Sequence, residues 1–229
     1  MLARPRWGFL DIIVVYLAIM GVNVITALLP VKSVVSEMQY YLFGFGVQFL
    51  ATIIFVYLFA VLFQKGRWRD LGLRGASFSN YWRYGILGGF LLITMVLLMG
   101  YVLKYFQPDL PPQSIEEMLR SAGRLSDFLF IMIAGAVLAP VSEELFYRGM
   151  IYPLFRNYLG TTWGAVAAGL IFGLAHGDLW RTLPLAIGGA VLCYIYEKSG
   201  SILVSMVAHG VWNGVMCILI YFSRSLGQL

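Results

Sequence analysis

The sequence predicts an all-α fold, a polytopic membrane bundle of about seven transmembrane helices (six to eight) with one short surface helix. The chain of 229 residues is 60% hydrophobic and only 12% charged. Soluble domains are about 45–50% apolar and about 25% charged. Several stretches reach the roughly 20 apolar residues that cross ~30 Å of hydrocarbon. Because backbone groups in lipid must hydrogen-bond within their own segment, these stretches are expected to be helices.

Seven apolar stretches are the candidate spans of one domain, 1–229. The first is too long for the apolar core of a cleaved signal peptide, so we interpret it as a retained helix. Between the third and fourth spans, Pro111 and Pro112 interrupt the chain, and Ser114 with Glu117 forms a capping-box pattern. This pattern predicts the surface helix over 114–122. The spans cover about 8–29, 40–63, 84–106, from 127 into the stretch 139–160, 162–176, 182–197 and 201–222.

Basic residues are distributed unevenly between the two sides of the predicted bundle. The net charge of +5 is typical of basic cytoplasmic loops in a membrane protein, and we expect no nucleic-acid partner. The positive-inside rule therefore predicts a cytoplasmic N-terminus. Ten basic residues lie on the N-terminal side (Arg4, Arg6, Lys65, Arg67, Arg69, Arg74, Arg83, Arg148, Arg156, Lys198) and six on the other (Lys32, Lys104, Arg120, Arg124, Arg181, Arg224).

Ionisable residues lie where a purely structural membrane helix would not carry them. Glu143 and Glu144 follow the apolar run FLFIMIAGAVLAPV, and the chain's two histidines, His176 and His209, lie in or at the end of other apolar runs. Such residues are costly inside a membrane and indicate a functional site. Taken alone, the glutamates could mark a helix end at the lipid headgroups. That interpretation does not explain both histidines.

Helical spacing predicts different roles for the two glutamates. Glu144 and Arg148 are four residues apart with the acid first, which is the favourable orientation for an ion pair on one helix face. Glu143 is rotated by about 100° and gains no partner at that spacing. The spacing therefore predicts a structural pair, Glu144 with Arg148, and a free carboxylate, Glu143.

The histidines can be placed relative to Glu143 by counting along the chain. Glu143 and His176 each lie about 16 residues from a predicted turn near 159–160, so two antiparallel helices would bring both to the same depth, about 24 Å from the turn. Pro140 is expected to kink the first helix and to free the carbonyl of Ala136. Ala165, Gly169, Gly173 and Gly177 recur every four residues and predict a flat packing face.

Together these side chains predict a polar pocket with hydrolytic chemistry. His209 and Asn213 are four residues apart and share a helix face. A carboxylate with a neighbouring imidazole can take a proton from water, and the imidazole and carboxamide can donate hydrogen bonds to the resulting oxyanion. Cys193 and Cys217 lie in apolar runs without activating neighbours, so we interpret them as small buried hydrophobes.

Three short motifs resemble those of a known family. EELFYRG, FGLAH and HGVWN fit the patterns EExxxR, FxxxH and HxxxN of the CPBP intramembrane proteases, the CAAX protease and bacteriocin-processing family, also called Abi, which includes the CAAX prenyl protease 2-like enzymes. The resemblance covers about 127–217. It implies a catalytic core over 127–217, preceded by variable helices over 1–126.

The resemblance implies an endopeptidase that cleaves a membrane-associated or hydrophobic peptide. Glu143 becomes the catalytic base, His176 its partner in activating water, and His209 with Asn213 the oxyanion site. Glu144 and Arg148 remain structural. The family is often labelled metallopeptidase, and a zinc ion could use Glu143, His176 and His209. Without an HExxH motif in the chain, we favour the metal-free glutamate mechanism.

Two other functions fit a polar pocket in a membrane bundle. A transporter or proton relay would be expected to show inverted repeats, which this chain lacks. A scaffold that binds a partner membrane protein through the same pocket would not need all four polar residues. We expect an integral protein of a bacterial plasma membrane, with the lipid bilayer and a peptide substrate as its partners and a pocket that opens to the cytoplasm.

Overall fold

The computed structural model describes residues 4–226, without the side chains of residues 224–226, and every regular element in this range is helical. Six helical segments are long and apolar enough to cross a membrane. The fourth turns back on itself, so the bundle contains seven helices and a surface helix. They are α1 (Phe9–Leu28), α2 (Glu37–Val56, continued by Tyr57–Phe63), α3 (Phe78–Phe106), α4 (Ser114–Ser121), α5 (125–159), α6 (161–175), α7 (Leu179–Ser199) and α8 (Ile202–Leu226).

The reversal between α5 and α6 occurs at Gly160. Its φ of 76° and ψ of 178° interrupt the helix with a conformation that glycine adopts without steric cost. A Cβ atom on Gly164 would lie 2.7 Å from the backbone nitrogen of Arg156, eight residues earlier. Eight residues of a straight helix span about 12 Å. The chain therefore folds back tightly, at the position that the sequence predicts.

Close backbone contact joins α6 to α7. A Cβ atom on Gly169 would lie 2.4 Å from the carbonyl oxygen of Ala186, and one on Gly173 would lie 2.5 Å from that of Thr182. Both glycines belong to the predicted packing face, and Ala165 on the same face is fully buried. Gly177 does not belong to the face, because α6 ends at Ala175 and Gly177 adopts a φ of 68° in the following turn.

Gly169→Ala is expected to destabilise the protein by about 1–3 kcal/mol, because the added methyl group must push α7 away from α6. The measurement is the thermal unfolding midpoint in detergent. Gly46→Ala is the matched control, since a Cβ atom there meets nothing within 4 Å and the residue lies inside helix α2. Equal midpoints for the two variants would contradict the close contact.

Two π-helical segments shape α5. Ala134–Leu138 precedes Pro140, and Glu144–Ile151 precedes Pro153. In a π-helix a carbonyl accepts from the residue five positions later, and such segments are frequent at functional sites. Glu143 therefore lies at a helical junction, between the two irregular segments. The predicted disturbance near Pro140 takes the form of a change in register, which shifts the carbonyl facing Pro140 from Ala136, as predicted, to Gly135. The Ala136 carbonyl lies against α8, 2.7 Å from where a Cβ atom on Gly210 would be.

The connections between helices gather at two ends of the bundle. At the N-terminal face, the Arg6 guanidinium donates to the Lys65 carbonyl (2.9 Å), and the Ile202 backbone N–H donates to the Gly72 carbonyl (3.0 Å). This face comprises residues 4–7, the connection 64–77, and the turns at Gly160 and Gly200. At the opposite face, Arg181 donates to the Pro111 carbonyl (2.7 Å). That face comprises 29–36, 107–113 and 176–178.

Two details differ from the sequence-based predictions. The surface helix begins at Ser114 with Gln113 as its N-cap, and Ser114 makes no capping hydrogen bond, so the predicted capping box is wrong. Arg148 is 1% exposed and lies within the bundle, so counting it among the loop cations is also wrong. Its partner, Glu144, explains why a guanidinium can be buried there.

Candidate active site

A cleft of about 1220 Å³ enters the bundle between α2, α3, α5, α7 and α8. The four residues predicted to act in hydrolysis, Glu143, His176, His209 and Asn213, all line it. Its wall is otherwise mostly apolar and aromatic, with contributions that include Tyr41, Phe45, Phe172, Trp212 and Met216. The folded chain thus brings residues from three helices to one cavity, although they lie up to 70 positions apart.

The two adjacent glutamates occupy different environments. The side chain of Glu143 is 27% exposed and faces the cleft, whereas that of Glu144 is fully buried. Residues next to each other on a helix point in directions about 100° apart. Only Glu143 is therefore placed to reach water or a bound peptide.

Glu144 is held by two charge-assisted hydrogen bonds. Arg148 Nη1 donates to Glu144 Oε1 (2.8 Å), and His209 Nδ1 lies 2.9 Å from the same oxygen. Arg148 also donates through Nη2 to the Gly189 carbonyl on α7 (3.0 Å), and its guanidinium lies 4.7 Å from the centre of the Phe172 ring. The ion pair that the spacing predicts is thus present, and it joins α5 to α7 and α8.

His209 bridges the two glutamates. Since a carboxylate can only accept a hydrogen bond, the Nδ1 atom facing Glu144 carries a hydrogen, and Nε2 is left to face the cleft. Nε2 lies 3.7 Å from Glu143 Oε2. That separation is too long for a direct hydrogen bond, and a water molecule can be shared between the two atoms. Trp212 stacks on the imidazole at 5.4 Å, which helps to fix the ring plane.

His176 caps the C-terminal end of α6 on the cleft side. Its Nδ1 donates to the Phe172 carbonyl (2.8 Å), and its ring packs edge-on against the Phe172 ring (4.7 Å between centroids). Nε2 is therefore the free nitrogen of this histidine as well. Within residues 4–226 no nitrogen–oxygen contact at ion-pair distance joins His176 to Glu143, and the histidine that makes such a contact with Glu143 is His209.

Asn213 is anchored to the irregular segment of α5. In π-helical register the Gly135 carbonyl would accept from Pro140, which has no N–H. The Asn213 carboxamide donates to that carbonyl instead, at 2.8 Å. A carbonyl partner fixes the amide orientation, because only the nitrogen can donate. One Nδ2 hydrogen remains for the cleft.

The cleft mouth lies at the opposite face. Asp178 caps α7 by accepting from the Arg181 backbone N–H (3.0 Å), and it also forms an ion pair with the Arg181 side chain. Partial burial acts to raise the pKa of Asp178, but hydrogen bonds from Arg181 and its positive charge outweigh this and hold that pKa below its usual range. Arg181 also binds the Pro111 carbonyl and so ties the connection 107–113 to α7.

A zinc ion needs three protein ligands in a catalytic site. In the part of the chain that the structure describes, no three His, Cys, Asp or Glu side chains are grouped closely enough to hold a metal ion. Glu143, His176 and His209 share the cleft without forming such a group. The residues present therefore do not fit a zinc site as arranged, and metal-free chemistry stays our prediction.

Sequence reasoning missed two features of the site. One is the contact of His209 with Glu144, because spacing along one helix does not reveal which residue of another helix it meets. The other is the position of Phe172, whose ring lies near Arg148, His176 and His209 (4.7, 4.7 and 5.9 Å). Its four-residue spacing from His176 indicated only the second of these contacts.

Comparison with known proteins agrees with the geometry. Residues 125–215, which carry Glu143, His176, His209 and Asn213, match the family described as type II CAAX prenyl endopeptidase Rce1-like. Over these residues the chain resembles the CPBP/CAAX proteases. No solved structure matches the chain.

Several bacterial proteins resemble this protein. It is 29% identical over 163 residues to the uncharacterized protein YyaK of Bacillus subtilis, covering 63% of this chain and 50% of that relative. It is 27% identical to an uncharacterized 24.3 kDa protein of Escherichia coli, over 76% of this chain and 82% of the relative. YdiL of Bacillus subtilis, which is provisionally named a membrane peptidase, is 24% identical to this chain. The match covers 39% of this chain and 36% of the length of YdiL. The chain spans about half the length of the first of these relatives.

Proposed function

We propose that this protein is an intramembrane endopeptidase that hydrolyses a peptide bond in a hydrophobic or membrane-associated peptide, with water activated by Glu143. The observation that carries the proposal is the contrast between two neighbouring carboxylates. Glu144 is buried and bound by Arg148 and His209, whereas Glu143 faces the cleft with an imidazole 3.7 Å away. A carboxylate in that position is placed to act as a general base.

The proposed reaction begins with a water molecule between Glu143 and a histidine Nε2. Glu143 takes a proton from the water as the oxygen attacks the carbonyl carbon of the peptide. The carbonyl oxygen becomes an oxyanion, and the protonated Glu143 then gives its proton to the leaving amine as the carbon–nitrogen bond breaks. Water is consumed, one new amine and one new carboxylic acid form and then ionise in water, and Glu143 is again a carboxylate. His209 Nε2 lies 3.7 Å from Glu143 Oε2, and His176 lines the same cleft.

The oxyanion would be stabilised from α8. The free Nδ2 hydrogen of Asn213 can donate to it without breaking the bond to Gly135. A hydrogen bond from His209 Nε2 requires the imidazolium form, because Nδ1 already carries the hydrogen donated to Glu144. The buried Glu144 carboxylate supports that form by orienting the ring, as a carboxylate does behind a catalytic histidine in other hydrolases.

The substrate class follows from the size and lining of the cleft. A volume of about 1220 Å³ exceeds that of a typical small-molecule site and accommodates a peptide segment. Apolar side chains on α2, α3 and α8 suit a hydrophobic peptide. We propose a bacterial plasma membrane as the location, because the relatives reported above are bacterial proteins.

The test compares new N-termini in membrane proteins and secreted peptides from cells that express the wild-type protein or Glu143→Gln at equal levels. Peptide ends that disappear in the variant are expected, because a carboxamide at this position cannot take a proton from water. Identical N-termini in both strains would overturn proteolysis. In that case the pocket would serve to bind a partner membrane protein, as a scaffold does.

A further inference from the structure

The cleft reaches one end of the bundle and not the other. Its polar rim lies on the opposite face and consists of the connection 107–113, the start of α4 and the start of α7. Among the described residues, its lining includes none from 4–7, from 64–77 or from the turns at Gly160 and Gly200. His176 lies two residues before Asp178 of the rim, so this histidine is close to the mouth. The mouth and the N-terminal segment are therefore on opposite sides of the bundle.

This geometry makes two of the sequence-based expectations incompatible. A cytoplasmic N-terminus and a cytoplasmic pocket entrance cannot both hold for a bundle whose mouth is opposite its N-terminus. The distribution of basic residues decides between them. Because Arg148 is buried, it is not counted among the basic residues of a face. Nine basic residues then remain on the N-terminal face and six on the opposite face. Arg224 is counted from the sequence, since its side chain lies outside the described part.

The cations of the two faces also differ in how they are arranged. The short connection 64–77 alone carries Lys65, Arg67, Arg69 and Arg74, and basic residues in short loops beside a span are the ones that set orientation. Paired cations occur on both faces: Arg120 with Glu116 (2.8 Å) and Arg181 with Asp178 at the rim, and Arg67 with Asp70 (3.6 Å) and Arg156 with Glu197 (2.7 Å) on the N-terminal face. Acidic partners contribute little to the orientation signal, so the difference between the faces is the clustering of cations. The connections of the opposite face, 29–36, 107–113 and 176–178, carry one basic residue between them, Lys32.

We infer that the cleft opens at the non-cytoplasmic side of the membrane and that its substrate is an exported or outer-leaflet peptide segment. The part of the inference about the substrate rests on the proposed peptidase function. The part about the side of the membrane rests on the position of the cleft mouth and on the distribution of basic residues. A peptide bond made in the cytoplasm would reach Glu143 only after its segment had crossed or entered the membrane. The chemical class is thus an apolar segment of a secreted peptide, a lipid-anchored protein or an outward-facing loop.

The side is tested by thiol labelling of intact cells with a membrane-impermeant maleimide. Lys104→Cys places a thiol on an exposed residue of the cleft rim, and Arg69→Cys is the matched variant on the N-terminal face. The wild-type protein gives the baseline, because Cys193 and Cys217 are buried. Lys104→Cys is expected to label without permeabilisation, and Arg69→Cys only after it. Labelling in the reverse order would overturn the inference and leave proteolysis intact.

The substrate is tested by mapping the N-termini that depend on Glu143. They are expected to lie in secreted peptides or outward-facing segments. N-termini confined to cytoplasmic segments would overturn the inference while supporting the peptidase. If no N-terminus depends on Glu143, the peptidase function fails, and the labelling result still decides which side the cleft faces.

Discussion

Glu143→Gln is expected to lower peptide hydrolysis by the purified protein about 10²–10⁴-fold, because a carboxamide cannot act as general base. The substitution keeps the size and shape of the side chain, so the cleft should still bind its peptide. We therefore expect the loss in kcat, with KM nearly unchanged. The measurement is steady-state cleavage, in detergent or reconstituted vesicles, of a peptide identified from the N-termini above.

The control for this variant is Glu117→Gln. Glu117 is an exposed glutamate of α4 that does not line the cleft, and its substitution removes the same charge. It is expected to leave kcat unchanged. A Glu143→Gln protein that unfolds at the wild-type temperature yet cleaves at the wild-type rate would rule out Glu143 as the base.

Arg148→Met is expected to destabilise the protein by about 3–5 kcal/mol, because it leaves the Glu144 carboxylate buried without its cation. Both side chains of this ion pair are almost wholly inaccessible, at 1% and 0% exposure. The same substitution also removes the hydrogen bond to the Gly189 carbonyl and so loosens α5 from α7. Thermal unfolding in detergent measures the effect.

Arg67→Met provides the matched control for that variant. Arg67 pairs with Asp70 at 3.6 Å, but its side chain is 74% exposed, and surface ion pairs contribute only about 0–1 kcal/mol. The double variant Glu144→Gln/Arg148→Met is expected to recover part of the stability, since no charge is then left unpaired. Equal unfolding midpoints for Arg148→Met and Arg67→Met would contradict a structural role for the buried pair.

The helices and the different environments of Glu143 and Glu144 could be predicted from the sequence, because both follow from short-range periodicity. The turn at Gly160 and the ion pair of Glu144 with Arg148 need only counting along one chain segment. The matching depth of Glu143 and His176, together with His209 and Asn213 four residues apart on another apolar helix, likewise predicted that these residues line one pocket. The catalytic roles of these four residues stay predictions until the variants are measured.

Contacts between helices could not be predicted in the same way. Whether His209 meets Glu143, Glu144 or both depends on the rotation of α8 about its axis, which a spacing of four residues leaves open. The bond from Asn213 to Gly135 depends on the π-helical register before Pro140, and an α-helical register would have supplied a different carbonyl. The side of the entrance required knowing at which end of the bundle the cleft opens.

Close glycine contacts between helices limit which parts of such a protein can change over evolution. Gly169 and Gly173 fix α6 to α7, and Gly210 fixes α8 to α5, through backbone approaches that no larger residue permits. In α1 and α2, by contrast, a Cβ atom added at Gly21 or Gly46 would meet nothing within 4 Å. The part of the chain that we propose to carry the chemistry is thus held by close backbone contacts. The first two helices can vary their surface to suit a different bilayer or a different substrate without displacing a reacting atom.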